Sequence, residues 1–309
     1  MGNVLRGQNL RVLSYNDSTD KIQVFALATS CVITTMNNAE SNKTKDDASL
    51  ADKPEVVSRA GTIQVDTLNV LDAGAILTTI HTFQKFVLMW DEVSTTDNQT
   101  TAQTSAIGKV CADCLCNDLS LTFNDREISA KSVQFIMNSA PTGLGGAHYN
   151  QTVIGDTAKT RGQFVRLLLG ADGTTAPTKV IAWARQLTFH VSVQTESVHT
   201  KDDEGSWDPQ EAVGLTYDIS TTALVKGNSD NITSQVEGQE LADIETIQAS
   251  AIPVKWRIAN MSGANQRTMG AVIVSGLVQV TQIQRNAAVG NVAEYTTQLN
   301  GYGDYTVGS

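Results

Sequence analysis

Positive charge is what this sequence is shortest of. Lys and Arg number 22 against 32 Asp and Glu, a formal net charge of −10 and a pI near 4.8. Gripping nucleic acid takes clustered Lys and Arg, so that class of function is excluded. A surface past which nucleic acid slides is not, because like charges repel. Long apolar runs are missing too. No 18-residue apolar stretch and no signal-peptide core can be found. In Met1-Gly2-Asn3-Val4-Leu5-Arg6, Arg6 stands where a myristoylation signal wants Ser or Thr. The chain is therefore expected to be made in a cytoplasm and to stay soluble.

Catalytic vocabulary is equally thin. The four histidines (81, 148, 190 and 199) are scattered, with no metal or triad spacing. His81 has no evident acidic partner in the sequence. No Gly-x-Ser-x-Gly and no phosphate-cradling Gly-x-x-x-x-Gly-Lys-Ser/Thr occurs. Asp46-Asp47 and Asp202-Asp203 are paired carboxylates, but adjacent residues in a polar loop lack the burial that tunes catalytic groups. No enzyme and no cofactor is expected. Aromatics make up 6%, few for the exposed platforms of a carbohydrate-binding sandwich. Four cysteines stand at 31, 111, 114 and 116, and Cys111-Ala112-Asp113-Cys114-Leu115-Cys116 has the look of a metal knuckle.

What the chain does have is a repeat. Thr44-Lys45-Asp46-Asp47 recurs as Thr200-Lys201-Asp202-Asp203, 156 residues later. At that offset residues 26–70 align with 182–226 without a gap, and 13 of the 45 positions are identical. Chance would give roughly three, and a period this long marks a duplicated domain rather than a solenoid. The repeat also tests the cysteines. Cys31 pairs with Leu187; beyond the helical region the offset becomes 162, which pairs Cys111 with Ile273, Cys114 with Gly276 and Cys116 with Val278. Cysteines facing apolar counterparts read as small buried hydrophobes.

Each copy opens with a strand, Gly7–Leu13 and Gly162–Leu168. Leu187, Phe189, Val191 and Val193 alternate onto one face of a later strand. Long polar segments follow, Asn37–Pro54 and Gln194–Gln210, and read as functional loops. The period then changes: Ile76, Leu77, Ile80 and Phe83, and likewise Leu241, Ile244 and Ile247, predict one amphipathic helix per copy. Trp90 and Trp256 fall in matching strands after the helices. Ser132–Asn138 and Glu294–Asn300 close the copies, and the Gly-rich stretch between them reads as a linker. The expected fold is mainly β: two tandem β-sandwich or barrel domains, 1–141 and 161–309, joined by 142–160, each with one flanking α-helix.

The Gly-x-x-Leu-Arg-Val-Leu start, the Ala28–Cys31 strand, the Thr-Lys-Asp-Asp loop and the Ile63–Leu68 strand, in this order, resemble the tail tube (major tail) protein of long-tailed bacteriophages. The second copy keeps the Gly start, the Lys-Asp-Asp loop and the closing strand. The resemblance implies a structural virion protein whose domains close in sixes into rings. The rings stack into a hollow tube through which DNA is ejected without specific binding. With two domains per chain it implies a homotrimer with pseudo-sixfold symmetry. It further implies Lys45, Asp46, Asp47, Lys201, Asp202 and Asp203 as inter-ring contacts. Tail terminator, tape measure and baseplate or distal tail proteins become the implied partners, with no membrane partner. The implied location is the virion tail, assembled in the host cytoplasm. A tube of a non-phage contractile injection system shares these features, and a β-sandwich adhesin is the alternative of a different class.

Overall fold

A computed structural model describes residues 10–16, 21–25, 27–41, 43, 45, 54–68, 73–93, 102–103, 108–143, 160–181, 183–198, 207–225, 238–262 and 268–308. The first half holds β1 (Leu10–Asn16), β2 (Lys21–Val24), β3 (Ala28–Ser41), β4 (Pro54–Thr67), α1 (Ala73–His81), β5 (Lys85–Val93), β6 (Ala102–Gln103), β7 (Lys109–Asn124), β8 (Ala130–Met137) and β9 (Thr142–Gly143). The second holds β10 (Val165–Leu169), β11 (Val180–Ile181), β12 (Ala184–Ser197), β13 (Gln210–Leu224), β14 (Gly238–Gln239), α2 (Leu241–Ser250), β15 (Val254–Ser262), β16 (Thr268–Asn286), β17 (Glu294–Gly301) and β18 (Thr306–Val307). The fold is mainly β with one helix in each half, as the alternation and its two helical interruptions predict.

Hydrogen bonding gives both halves the same topology. The first runs β2-β1-β5-β7-β8-β4-β3 and the second β11-β10-β15-β16-β17-β13-β12, with every neighbouring pair antiparallel. β9 joins β7 as β18 joins β16. Three unusual backbone positions repeat as well. Leu27 and Trp183, Phe83 and Ala251, and Arg126 and Gly290 all have positive φ. The two layers of each sandwich meet through aromatic rings: Phe86 packs edge-on to Phe135 at 5.2 Å, and Phe189 lies 5.4 Å from Trp256. Leu187, Phe189, Val191 and Val193 are buried as a set, as are Ile76, Leu77 and Ile80 on α1. The buried residues of both halves form one contiguous core.

The ladders correct the sequence alignment of the later strands. Ile63 faces Phe135 and Ile219 faces Leu299, so Phe135 corresponds to Leu299 and the closing strands match two residues away from the expected pairing. By the same ladders Cys111 corresponds to Gly276, Cys114 to Val278 and Cys116 to Val280. For the closing strand, Cys114 and Cys116 the slip is two residues, which keeps every side chain on its face and is invisible to alternation; Cys111, beyond the break in the β5–β7 register, moves by three. Trp256 stands at the position of Leu88, not of Trp90. Leu88 faces Cys111 where Trp256 faces Gly276, so a large ring and a missing side chain have replaced two of middling size. A Cβ on Gly276 would lie 3.2 Å from Trp256 Nε1. The cysteines are small buried hydrophobes as read: Cys111, Cys114 and Cys116 are fully enclosed and free, and Cys31 is half-buried. Burial pushes the Cys116 thiol well up, which keeps it protonated.

The polar segments are shorter as loops than expected. β3 and β4 stay paired from Asn37↔Arg59 out to Ser41↔Pro54, and β12 and β13 from Gln194↔Gly214 out to Ser197↔Gln210. Each copy therefore carries a projecting two-stranded arm that begins well before the loop.

Candidate functional site

The site follows from how the second copy attaches to the first. Seven residues of β12, Gln186 to Ser192, pair antiparallel with Asn124 to Asp118 at the far end of β7. β12 also pairs β13, and β7 also pairs β8, so the strands form one continuous sheet, β3-β4-β8-β7-β12-β13-β17-β16. One face of this sheet is core: Val65, Val133, Leu119, Val191 and Tyr217 form a buried row across five strands. The other face is polar, and one row reads Asp66, Ser132, Ser120, His190, Asp218, Asn300. No Lys or Arg stands in that row.

His190 sits at the seam between two carboxylates. Its Nε2 is 2.7 Å from Asp118 Oδ2 and its Nδ1 2.9 Å from Asp218 Oδ1. Partial burial would lower the imidazole pKa, but the hydrogen bonds and charges of Asp118 and Asp218 outweigh it and hold the pKa above the ordinary value. Asp118 comes from the first copy, and His190 and Asp218 from the second. The ring is therefore a charged clip across the joint. No direct signal for it is legible in the sequence, since the two carboxylates are 72 and 28 residues away.

Further contacts cross the joint. Tyr305, buried near the C-terminus, donates its hydroxyl to the Leu77 carbonyl of α1 at 2.9 Å. Its ring packs on His81, Phe189 and Tyr217. His81 thereby gains the acidic neighbour that the sequence did not suggest, with Asp304 Oδ1 3.8 Å from Nε2. Asn138 clamps Gln210 twice, Nδ2 donating to the Gln210 carbonyl at 2.8 Å and Oδ1 accepting its N–H at 3.0 Å. Gly162 lies so close to β7 that an added Cβ would stand 2.2 Å from the Asn124 carbonyl oxygen.

The same ladders leave two edges open. Among the described residues β3 pairs as a strand only with β4, and the Val280–Asn286 end of β16 only with β17. These are the counterparts of β12 and of the far end of β7, which the seam joins. Val32 and Met36 on the open β3 are 48% and 52% exposed, large apolar side chains left uncovered.

No protein-family model matches the sequence, and no curated protein matches it. Solved structures do. A chain from the tail of an empty gene transfer agent particle, refined helically with C6 symmetry, is 17% identical with a TM-score of 0.33, over 46% of this chain and 96% of that one. A chain from the virion of a native gene transfer agent particle is 15% identical with a TM-score of 0.34, over 48% and 99%. The SPP1 tail tube, from solid-state NMR and cryo-EM, is 12% identical with a TM-score of 0.35, over 48% and 78%.

Of the six residues named as contacts from the sequence, Lys45 lies exposed in a turn beyond the β3–β4 arm. Asp46, Asp47, Lys201, Asp202 and Asp203 fall outside the described residues.

Proposed function

We propose that the chain is a structural subunit of a hollow tail tube of the long-tailed phage type, with three chains closing a ring of pseudo-sixfold symmetry. The observation that carries this reading is the seam. One chain already holds two copies of a sandwich, joined by pairing the β12 edge to the β7 edge, and it ends in the same two kinds of edge left open. Repeating the step between chains brings β3 of one to the far end of β16 of the next. The structural correspondences set the register: Thr34 faces Gln284 as His190 faces Ser120. Closing the ring removes the exposed edges. On this reading residues 1–141 and 161–309 are the two tube domains and 142–160 the linker.

Six copies are the number that the tail-tube resemblance implies, and two per chain makes three chains. Eight strands of the continuous sheet per chain then give a barrel of about 24. With strands about 4.8 Å apart and tilted about 40°, its backbone diameter is roughly 48 Å. Side chains on the inner face narrow this to roughly 35–40 Å, still wider than a DNA duplex. The polar face lines the channel. Asp66, Asp118 and Asp218 lie on it, so the wall repels a phosphate backbone and DNA passes without being held. The β3–β4 and β12–β13 arms reach toward the adjoining ring, and Lys45, Asp46, Asp47, Lys201, Asp202 and Asp203, which lie in sequence between the paired strands, make the contacts. The role is structural rather than enzymatic. Its place is the virion tail, assembled in the host cytoplasm against terminator, tape measure and distal tail proteins.

Electron microscopy of the purified protein at rising concentration tests the reading. Hollow rings or tubes whose threefold averages show six lobes are expected. Assemblies in which the β3 and β16 edges stay apart, or a channel with a clearly positive wall, would overturn it. Deleting residues 45–47 is expected to leave rings intact and stop them stacking.

A further inference from the structure

The groove that Tyr305 and Val307 fill on the first copy has an unfilled counterpart on the second. Asp304–Val307 of the second copy lies along α1 of the first. The Tyr305 hydroxyl meets the Leu77 carbonyl there, and a Cβ on Gly74 would touch Val307 Cγ1 at 3.4 Å. Matching positive-φ residues after the helices (Phe83 and Ala251) make Gly74 equivalent to Ala242 and Leu77 to Glu245. Beside these positions on α2 is an open cavity of about 210 Å³, lined by Trp183, Leu241, Ala242, Glu245, Arg285 and Tyr295. Tyr295 is 1% exposed, yet its hydroxyl has no hydrogen-bond partner among the described residues. A buried orphan hydroxyl marks a place where something is missing.

We propose that this cavity is the socket for the Pro141–Gly143 segment of a second copy of the chain. The inference rests on the ring reading above and names a contact that edge pairing alone does not require. β9 joins β7 as β18 joins β16, with Gly143 facing Lys109 as Val307 faces Val274. Pro141 is thereby the counterpart of Tyr305 and Gly143 of Val307. Within the chain, whichever copy supplies its β12 edge also supplies its C-terminal segment to the receiving copy's helix. Between chains, the copy that supplies β3 carries Pro141–Gly143, and the copy that supplies the β16 edge carries the α2 cavity. The chemistry has diverged in step on both sides. Inside the chain the tyrosine hydroxyl meets the Leu77 carbonyl, and the residues that correspond to Glu245 and Arg285 are the buried, apolar Leu77 and Leu121. At the equivalent positions of the cavity Glu245 and Arg285 form an ion pair, and the incoming segment offers small Pro141 and Gly143 with backbone carbonyls for the Tyr295 hydroxyl. A permanent joint can expose no apolar groove because it is filled as soon as it forms. A joint that stays open in the free chain is kept wet by its ion pair.

Disulfide trapping tests the socket. Gly143→Cys with Ala242→Cys recreates the Gly74–Val307 contact between chains, and a Cβ on Gly143 meets nothing within 4 Å in the free chain. Gly74→Cys with Val307→Cys is the within-chain control. Thr34→Cys with Gln284→Cys reports the strand seam separately. Oxidised assemblies of the first pair are expected to give reducible two-chain and three-chain bands. Seam bands without Gly143–Ala242 bands would overturn the socket and leave the ring standing. Assemblies with neither would overturn both, and Gly143–Ala242 bands from the unassembled chain at equal yield would overturn the assignment to the ring.

Discussion

Replacing His190 with Gln tests whether the joint between the copies is clipped by charge. The variant keeps the ring's approximate volume and one hydrogen bond, and loses the cation between Asp118 and Asp218. Hydrogen bonds to charged groups contribute about 1.5–3 kcal/mol each. Here the imidazole is 34% exposed and Asp218 52%, so solvent screens much of this. A total loss of about 1–2 kcal/mol is expected where His190 is protonated in the native chain. The sign follows from linkage. The folded-state pKa is raised, so the contribution is complete below the ordinary value of 6.5 and disappears as pH rises through the higher folded value. The carboxylates that face the ring are Asp118 on β7 and Asp218 on β13. Calorimetry of the wild type and His190→Gln should therefore show a Tm gap of about 2–4 °C at pH near 6 that narrows toward zero as the pH rises through the folded value. A gap of the same size at both ends would refute the charge argument and leave only packing. An NMR titration placing the His190 pKa at or below 6.5 would refute it directly.

Other perturbations separate folding from assembly. Thr35 is exposed on the open edge but corresponds to Val191, which the seam buries completely. Thr35→Asp should leave the free chain's stability within about 0.5 kcal/mol and abolish rings, because the new carboxylate would be buried unpaired; light scattering and thermal melts together check this. Tyr305→Phe should cost about 1 kcal/mol for the lost hydrogen bond to Leu77. Tyr305→Ala should cost about 3–5 kcal/mol for the emptied aromatic site, read by urea denaturation. Gly162→Ala must push the Asn124 backbone away, so a loss above about 2 kcal/mol is expected, with proteolysis revealing a loosened joint.

The strands that bury one face were legible in the sequence, because Leu187, Phe189, Val191 and Val193 alternate and α1 and α2 break the alternation. The arms were not. Beyond Asn37 and Gln194 the side chains are mostly exposed on both faces, so period two leaves no burial pattern to read, and backbone hydrogen bonds with a few polar contacts such as Asn38 Nδ2 to Ser58 Oγ at 2.8 Å hold the strands. The later register was misread by two residues for the opposite reason: alternation was intact and blind to an even slip. The seam was illegible because it is made of residues distant in the chain. His190 and Asp118 are ordinary polar residues between apolar neighbours, and nothing in their spacing reports that they meet. Tyr305 carried no signal at all, since a lone tyrosine near a chain end has no periodicity to read.

Tyr305 also orders events during synthesis. The first half of the chain leaves the ribosome with α1 ungrooved and the far end of β7 unpaired, and it stays so until residues 186–192 and then 305 have been made. For that interval every nascent first half offers the edge that its own second half will need. A finished second half from a neighbouring chain fits it equally well. Exchange of halves between chains made on one message is thus the characteristic error open to this topology. The covalent link between the halves, which raises the local concentration of the correct partner, is what works against it.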